Sequence, residues 1–269
     1  MRSAIMKRAL EQLAQDLAAA RAGGWTVSPP ADDRSALSLE QAYEVQERVT
    51  ALLGAESRGW KVGSTSVAAQ QRLGTSEPGA GRLPRQYVFE SGAHVGVSPA
   101  HDVQVEVEFA FRLGMDLAPR DAPYEAGEVR QAVAAFMPGI ELVGSRLVSG
   151  LAGSGRALVT ADGGANVAFI AGREVALTGP WDLVDHECSL RINGEQTVTG
   201  TGARALGDPV LVLTWLANHL AARGMTLASG EIVTTGTCTG LEHVTHGDVL
   251  VGDFGSLGAV EVHLKPVDE

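Results

Sequence analysis

The sequence has little cysteine: only Cys188 and Cys238 occur among 269 residues, far apart and without a CxxC partner. This pattern indicates neither a zinc cluster nor a disulfide framework. Long apolar runs are also missing, because no segment approaches the roughly 18 apolar residues of a membrane span and the first residues lack a signal-peptide core. We therefore expect a cytoplasmic protein that does not enter a membrane.

Positive charge is scarce as well. The formal net charge is −11 at pH 7, and no basic run is longer than two residues. A nucleic-acid-binding surface needs clustered lysine and arginine, so we expect no nucleic-acid partner. An anionic substrate would have to be attracted by a local basic patch or by a metal ion. The remaining composition, 45% hydrophobic and 20% charged, is that of an ordinary globular protein.

Helical patterns dominate the first part of the chain. Apolar positions at helical spacing predict a helix over residues 3–22. Ser38, with Gln41 three residues later, predicts a capping box at the start of a second helix. Ser66 is placed to cap a short third helix. The stretch GWKVGSTS, just before that third helix, predicts a short strand that runs into a turn.

Strand patterns take over from about residue 86, and Asn193-Gly194 between two alternating segments predicts a β-hairpin. Helical patterns interrupt the strands only at about 125–135 and in DPVLVLTWLANHLAARG. Strands that outnumber helices without alternating with them favour an α+β fold over a doubly wound parallel sheet. We assign residues 1–85 to a helical N-terminal portion and residues 86–269 to a β-rich portion, together one structural unit.

Two acids lie within the strand-like stretch HDVQVEVEFAFRLG. Residues two apart in a strand point to the same face, so Glu106 and Glu108 project together. One interpretation is the solvated face of an edge strand. A third acid, Glu141 in FMPGIELVGSR, lies on another apolar strand after an excursion long enough to return the chain beside the first. The three carboxylates are therefore candidates for a single cluster.

Three carboxylates in apolar surroundings need a strong positive charge to remain ionised, and a divalent cation supplies it. No His or Cys lies at ligand spacing near these acids, so the ligands would all be oxygens and the ion a hard one. We expect Mg²⁺, with Mn²⁺ and Ca²⁺ as alternative occupants. Three protein oxygens leave about three octahedral positions for water or a chelating substrate.

Several motifs in this order resemble one enzyme family: GWKVGSTS, EVEFAF, PGIELVGSR, TGTGARALGDPV and GDVLVGDFG. They are similar to the 2-hydroxypentadienoate hydratase and 4-oxalocrotonate decarboxylase group of the fumarylacetoacetase superfamily, over about residues 36–264. The resemblance implies a fumarylacetoacetase C-terminal-like mixed β-roll or sandwich with a helical N-terminal portion. It also implies that Glu106, Glu108 and Glu141 bind Mg²⁺. The glutamate at 141, where the carbon–carbon hydrolases carry aspartate, favours the lyase branch.

The resemblance assigns roles to further residues, each of which also has an ordinary structural interpretation. Lys61, otherwise a surface lysine beside a turn, would neutralise substrate charge in the pocket. Arg146, otherwise an exposed arginine, would clamp a carboxylate. Thr237 and Thr239, otherwise parts of a plain Gly-rich turn, would lie on the substrate side. Asp162, otherwise a turn aspartate, would belong to the catalytic group.

The sequence departs from the hydratase pattern in GTSEPGAGRL. Hydratases of this family generally have an aspartate after the proline, as a proton-transfer residue, and here Gly79 takes that place. Glu77 remains and is our candidate for its replacement. Gly163 also stands where the family usually has asparagine, and Gly144 where it has aspartate. The metal ligands are thus intact, whereas the residues that would handle protons are altered.

From these residues we expect a Mg²⁺-dependent lyase that acts on a small anionic 2-oxo or 2-hydroxy-dienoic acid, with a 2-keto-4-pentenoate-type hydratase as the first expectation. The alternatives are a 4-oxalocrotonate-type decarboxylase, a non-catalytic partner subunit of such a complex, and an acylpyruvate-type carbon–carbon hydrolase, which Glu141 disfavours. We also expect a homo-oligomer, with association to a related hydratase or decarboxylase as a further option.

Overall fold

The structure, a computed structural model, describes residues 2–29, 37–54, 56–176 and 181–267, with the side chains of residues 2–5 left aside. Parts of the two predicted portions, 1–85 and 86–269, lie outside these described residues. The helices are α1 (Arg2–Gly23), α2 (Leu39–Leu52), α3 (Val67–Leu73), α4 (Ala126–Ala132), α5 (Gly150–Ala161) and α6 (Pro209–Ala222). None of the helices in the described ranges is long and apolar enough to cross a membrane.

The strands form two sheets. They are β1 (Ser57–Gly63), β2 (Gly79–Pro84), β3 (Val88–Glu90), β4 (Ala93–Val97), β5 (Gln104–Leu113), β6 (Val133–Val143), β7 (Asn166–Ala171), β8 (Val175–Ala176), β9 (Glu187–Ile192), β10 (Glu195–Thr201), β11 (Ile232–Thr237), β12 (Glu242–His243), β13 (Val249–Asp253) and β14 (Ala259–Pro266). One sheet has the order β2-β1-β11-β5-β6-β7-β3, with β12 paired to β5 and β8 to β6. The other has the order β10-β9-β13-β14-β4.

The two sheets share one apolar core. Val107 on β5 and Ile140 on β6 are fully buried and belong to the same cluster as Leu250 on β13 and Val260 on β14. Because side chains alternate along a strand, the residues that precede and follow Val107 point away from the second sheet. This alternation turns the acidic face of β5 toward the helical side of the molecule.

The helices α1 and α2 pack with α5 in a separate apolar cluster, which includes Leu17, Val45 and Leu158. The capping box of Ser38 and Gln41 and the Ser66 cap are present as predicted. The predicted N-terminal portion also contributes β1 and β2 to the larger sheet, where β1 pairs with β11. The two predicted portions therefore share a sheet, and the α+β prediction is confirmed.

The remaining predictions of local structure were confirmed with two exceptions. Asn193 and Gly194 form the hairpin turn between β9 and β10, both with positive φ. The helix predicted at 125–135 ends at Ala132, and β6 begins immediately after it. The prediction that helices interrupt the strands only twice was wrong, because α5 is a third one. Its sequence contains several glycines, which have low helix propensity and hid the pattern.

Candidate metal centre and adjoining pocket

Three glutamates converge where β5 and β6 pair. In the antiparallel register Glu106 lies directly opposite Glu141, and Glu108 lies opposite Gly139. One carboxylate oxygen from each of the three glutamates lies within 4.8 Å of the other two. Glu108 and Glu141 are fully buried, while Glu106 is partly open to an adjoining cavity. Strand alternation and pairing thus bring together the three acids that the sequence predicts as metal ligands.

Polar partners hold two of these carboxylates in place. Asn166, at the start of β7, donates its side-chain amide to Glu141 Oε1 at 2.8 Å. The backbone N–H of Gly236 donates to Glu108 Oε2 at 2.7 Å. The second oxygens, Glu108 Oε1 and Glu141 Oε2, are buried without a hydrogen-bond partner. Buried carboxylate oxygens without partners are unfavourable, so these two oxygens are available as ligands for a cation.

Lys61 is a cation in direct contact with these acids. Its ammonium Nζ lies 3.3 Å from Glu141 Oε1 and donates to the backbone carbonyl of Gly164 at 3.0 Å. Only 3% of Lys61 is exposed, so the interpretation as a surface lysine does not describe this structure. The prediction that Lys61 lies in the pocket with the acids agrees with this placement.

The electrostatics show that one lysine does not balance three carboxylates. Burial raises the pKa of Glu106 to about 7, against the opposing effect of Lys61. Burial, followed by the charges of Glu141 and Glu106, raises the pKa of Glu108 well above its ordinary value. Burial alone would lower the pKa of Lys61, but the carboxylates, Glu141 foremost, raise it overall. The cluster therefore needs additional positive charge to be fully ionised.

The donor set fits a hard divalent cation. Within the described residues it consists of carboxylate oxygens alone, at a separation that one ion can span. Two of these oxygens have no other partner, and burial together with the neighbouring carboxylates raises the pKa values of Glu106 and Glu108. Oxygen-only coordination is what Mg²⁺, Mn²⁺ and Ca²⁺ prefer. Glu106, Glu108 and Glu141 together are thus a suitable site for such an ion.

Arg146 and Asp162 form a buried ion pair beside this centre. Arg146 Nε donates to Asp162 Oδ1 at 2.7 Å, and the backbone N–H of Arg146 donates to the other carboxylate oxygen at 3.0 Å. The other guanidinium nitrogens donate to the carbonyls of Gly144, Asn166 and Asp162. Arg146 is 1% exposed and Asp162 4%. The predicted carboxylate clamp at Arg146 and the predicted catalytic role of Asp162 stay predictions. All guanidinium nitrogens of Arg146 already have protein partners here.

Thr237, Thr239 and Glu77 lie outside the cavity lining. Thr237, opposite Glu108 in the register of β11 and β5, donates its hydroxyl to the carbonyl of Gly240 at 2.9 Å. The hydroxyl of Thr239 accepts from the N–H of Val107 at 3.4 Å. Both threonines thus stabilise the turn beside Glu108. Glu77 is exposed on the loop before β2. The substrate-binding and catalytic roles of these three residues stay predictions.

A cavity of about 80 Å³ adjoins the metal centre. Glu106 and Lys61 belong to its lining. Two arginines also line it, Arg72 from α3 and Arg156 from α5, together with Gly79, where the hydratase pattern has aspartate. Most of the remaining lining is apolar and includes Val143, Leu151, Val159 and Leu241. The cavity can therefore hold a small, partly apolar acid with its head against the glutamates.

Sequence reasoning missed two residues of this region. Asn166 is fully buried and bridges Glu141 to Arg21 of α1, whose guanidinium donates to its amide oxygen at 2.9 Å. An asparagine that opens the apolar strand NVAFIA was a usable signal, because buried amides are normally hydrogen-bonded. Arg156 had no such signal, because it lies on α5, the helix that the sequence did not predict.

The sequence was compared with known proteins. Residues 62–265 match the profile of the family described as fumarylacetoacetate (FAA) hydrolase C-terminal. The chain is 31% identical over 258 residues to 2-keto-4-pentenoate hydratase of Paraburkholderia xenovorans (strain LB400), covering 95% of this chain and 94% of the relative. It is 29% identical over 235 residues to 2-oxo-hept-4-ene-1,7-dioate hydratase of Escherichia coli, covering 85% and 87%.

A solved structure is similar along nearly the whole chain. 4-Oxalocrotonate decarboxylase from Pseudomonas putida G7, complexed with magnesium and adipate, superposes with a TM-score of 0.86 at 26% identity. The match covers 96% of this chain and 98% of the decarboxylase. A second structure of that decarboxylase is complexed with calcium and acetate. The ions in both structures are hard divalent cations, the class that the three glutamates fit.

Proposed function

This chain belongs to the fumarylacetoacetate hydrolase C-terminal family and is a metal-dependent lyase, and we propose that it hydrates a 2-hydroxy-2,4-dienoic acid with Mg²⁺ as cofactor. The observation that carries the proposal is the convergence of Glu106, Glu108 and Glu141 beside the buried Lys61, next to a cavity that Glu106 and Lys61 line. The curated relatives named as hydratases support the reaction class.

Glu106, Glu108 and Glu141 would hold the ion, with the unpartnered oxygens of Glu108 and Glu141 among the ligands. When bound, Mg²⁺ supplies positive charge that polarises the C2 oxygen and the neighbouring carboxylate of a 2-oxo acid. The protein's part is to fix the carboxylates, through Asn166 on Glu141 and the Gly236 N–H on Glu108. A rigid, partly dry site of this kind strengthens electrostatic interactions with the substrate.

Lys61 supplies a fixed positive charge of its own. Hydration begins with ketonisation of the dienol to the conjugated 2-oxo-3-enoate, followed by addition of water at C4. Negative charge on the C2 oxygen accompanies the first step, and an ammonium in a buried site stabilises such charge more than one in water. The pKa of Lys61 is raised by the carboxylates around it, so it stays protonated at neutral pH. We assign it to charge stabilisation rather than to proton removal.

Proton transfer at the far carbons needs a separate group. Gly79, the first residue of β2, carries none, and Glu77, two residues earlier on the loop that leads into β2, is our candidate for an acid or base. Asp162 is held against Arg146, and we propose that this pair positions the end of β6 and the start of β7. We likewise propose that Thr237 and Thr239 act on the substrate side by shaping the turn beside Glu108.

A second reaction is favoured by one specific observation. Arg156 lies against Gly79 at the cavity wall, where the hydratase pattern has an acid. Decarboxylation of 2-oxohex-3-enedioate needs the same stabilisation of charge at C2, but it releases CO₂ from the far end and does not need an acid or base there for water addition. The similarity to 4-oxalocrotonate decarboxylase supports this alternative.

Product analysis distinguishes the two reactions. The Mg²⁺-loaded protein is supplied separately with 2-hydroxypenta-2,4-dienoate and with 2-oxohex-3-enedioate, and the hydrated acid and CO₂ are measured. Hydrated product supports the hydratase, and CO₂ release from the second substrate supports the decarboxylase. An acylpyruvate is supplied as a third compound, and its hydrolysis to pyruvate and a second carboxylic acid would indicate a carbon–carbon hydrolase instead. Mg²⁺ binding without turnover of any of these compounds would indicate a non-catalytic partner subunit.

We also propose a cytoplasmic homo-oligomer, with association to a related enzyme as a further option. Large apolar side chains such as Val67, 70% exposed, and Val148, 54% exposed, are consistent with surfaces that another copy could cover. Light scattering coupled to size-exclusion chromatography tests the oligomer, and a monomeric mass at micromolar concentration would contradict it.

A further inference from the structure

The place beside Gly79 is occupied by a guanidinium group. A Cβ atom added to Gly79 would lie 2.3 Å from one terminal nitrogen of Arg156 and 2.6 Å from its Cζ. A side chain at position 79 therefore cannot coexist with Arg156 in its present conformation. The hydratase pattern has an aspartate carboxylate at this position. In this chain the positively charged guanidinium of Arg156, a residue of α5, lies there instead.

Local structure holds Arg156 in this position. The helix α5 is broken at Gly155, whose φ of 70° lies in the left-handed region that favours glycine, and Arg156 begins the segment after the break. The guanidinium NH2 donates to the backbone carbonyl of Pro78. These two features direct the side chain along the wall of the cavity.

Arg156 has no carboxylate partner among the described residues. Its Nε is buried and without a hydrogen bond, and its one hydrogen-bond acceptor in the described part of the chain is the neutral carbonyl of Pro78. Burial lowers the pKa of Arg156, while Tyr43 and Glu77 act weakly in the opposite direction. A largely buried charge is unfavourable unless an anion pairs with it. The guanidinium is thus placed to accept an anion that the described part of the chain does not supply.

The geometry relates Arg156 to the metal centre. In the register of β1 and β2, Lys61 pairs with Gly81 and Gly63 pairs with Gly79. The ammonium of Lys61 lies 3.1 Å from the position of a Cβ atom added to Gly63, and Gly63 is the residue paired with Gly79, beside which Arg156 lies. The two positive charges therefore approach the same cavity from paired positions of β1 and β2. Glu106 lines this cavity with Lys61 and Arg156, and apolar side chains such as Leu151 and Val159 line the remaining space.

We propose that Arg156 binds a second carboxylate at the far end of the substrate, so that the substrate class is a linear 2-oxo or 2-hydroxy dicarboxylic acid. The 2-oxo-acid head lies at the glutamates and Lys61, and the distal carboxylate pairs with the guanidinium fork. This inference rests on the proposed function, because it takes the glutamate cluster as the site of the head group. Both a hydratase and a decarboxylase can act on such an acid.

The test compares two ligands that differ only at the far end. Binding of 2-oxoadipate and of 2-oxohexanoate to the Mg²⁺-loaded protein is measured by isothermal titration calorimetry. We expect wild type to bind 2-oxoadipate more tightly, by roughly 10-fold to 100-fold, as hydrogen bonds to charged groups contribute. In Arg156→Leu this preference should disappear while the affinity for 2-oxohexanoate stays within a few-fold of wild type.

Further variants make the result specific. Arg156→Lys keeps the positive charge but loses the planar guanidinium that can form two parallel hydrogen bonds with a carboxylate. Its preference for 2-oxoadipate over 2-oxohexanoate should lie between those of wild type and Arg156→Leu. Arg156→Gln provides a polar replacement in case the leucine variant does not fold. Arg173→Leu removes one positive charge from an exposed position outside this cavity, and its ligand preference should equal that of wild type.

The outcomes separate this inference from the proposed function. Equal affinity of wild type for the two ligands, or a preference that persists in both Arg156→Leu and Arg156→Gln, would overturn the assignment of Arg156 and leave the proposed function intact. If neither 2-oxo acid binds in the presence of Mg²⁺, the proposed function fails and the inference fails with it.

Discussion

Glu106 and Glu141 face each other as a directly paired couple across β5 and β6, and their carboxylates approach within the reach of one ion. Like charges in this arrangement repel, and burial increases the penalty. Lys61, 3.3 Å from Glu141, offsets one of the three charges. Because the remaining charge is uncompensated, we expect a bound cation to stabilise the folded protein.

Removing one ligand should abolish this dependence. For wild type we expect Mg²⁺ to raise the melting temperature, because a ligand that binds only the folded state stabilises it by about 2.7 kcal/mol at 100 times its dissociation constant. Glu108→Gln should melt at the same temperature with and without Mg²⁺. Since the charge repulsion is also reduced, the variant without Mg²⁺ should be at least as stable as wild type without Mg²⁺.

Differential scanning fluorimetry with and without Mg²⁺ measures the effect. Glu44→Gln removes an exposed acid on α2 and serves as the control, with a shift equal to that of wild type. Mg²⁺ shifts of the same size in wild type and Glu108→Gln would exclude Glu108 as a ligand.

Replacing Lys61 should separate metal binding from turnover. Lys61→Met keeps the length of the side chain but removes the charge beside Glu141. We expect turnover to fall by about 100-fold or more, as for other groups that stabilise developing charge. The metal-free variant should be less stable than metal-free wild type, because removal of one partner leaves buried charges uncompensated. Mg²⁺ should then produce a larger melting shift than in wild type.

Steady-state kinetics and melting curves on the same preparation test both effects. Unchanged kinetics would show that Lys61 is only a structural partner of Glu141. A smaller Mg²⁺-induced rise in melting temperature than in wild type would contradict the argument that Lys61 compensates part of the glutamate charge. Lys61 would then help the glutamates to bind Mg²⁺ instead.

The sequence alone predicted the cluster of acids because each step depends on local rules. Strand alternation places Glu106 and Glu108 on one face, and a return after α4 brings Glu141 beside them. The surroundings of Arg146 depend instead on contacts between β6, the end of α5 and the start of β7, which no local pattern encodes. The glycine-rich sequence of α5 hid that helix, and Arg156 with it.

A pH effect on stability should arise at His219. Burial, together with the charges of Arg223 and Arg156, lowers the pKa of His219 to about 4. An imidazole in the unfolded chain titrates near its ordinary pKa of about 6.5. Between these values the unfolded state binds a proton that the folded state does not, so stability falls as the pH decreases from about 6.5 toward 4. His219 alone should contribute a loss on the order of 2 kcal/mol between about pH 7 and pH 5.

Urea unfolding at several pH values measures this contribution. His219→Phe retains the stacking on Trp215, whose ring centroid lies 4.8 Å away, and it should lose stability less steeply on acidification than wild type. His246→Gln alters an exposed imidazole and should keep the wild-type slope. Parallel pH profiles for wild type and His219→Phe would contradict the assignment.

Introducing the missing carboxylate at position 79 brings the arguments about Gly79 and Arg156 together. In Gly79→Asp the new side chain must displace the Arg156 guanidinium, which is the flexible end of its side chain, and the two charges would then pair. We expect the preference for a dicarboxylic ligand to fall, because the new carboxylate would neutralise Arg156. We expect the rate of hydration of 2-hydroxypenta-2,4-dienoate to rise, because a positioned acid or base contributes about 10²–10⁴-fold to a reaction rate. Gly79→Ala introduces the steric conflict without the carboxylate and should lower the preference without raising hydration.

If Glu77 already handles the proton, Glu77→Gln should instead reduce wild-type hydration, and Gly79→Asp should change it little. The two cases are distinguished by the rates of hydration and CO₂ release, measured together for these variants. If wild type hydrates the substrate fast and neither Glu77→Gln nor Gly79→Asp changes that rate, residues 77–79 do not carry out the proton transfer.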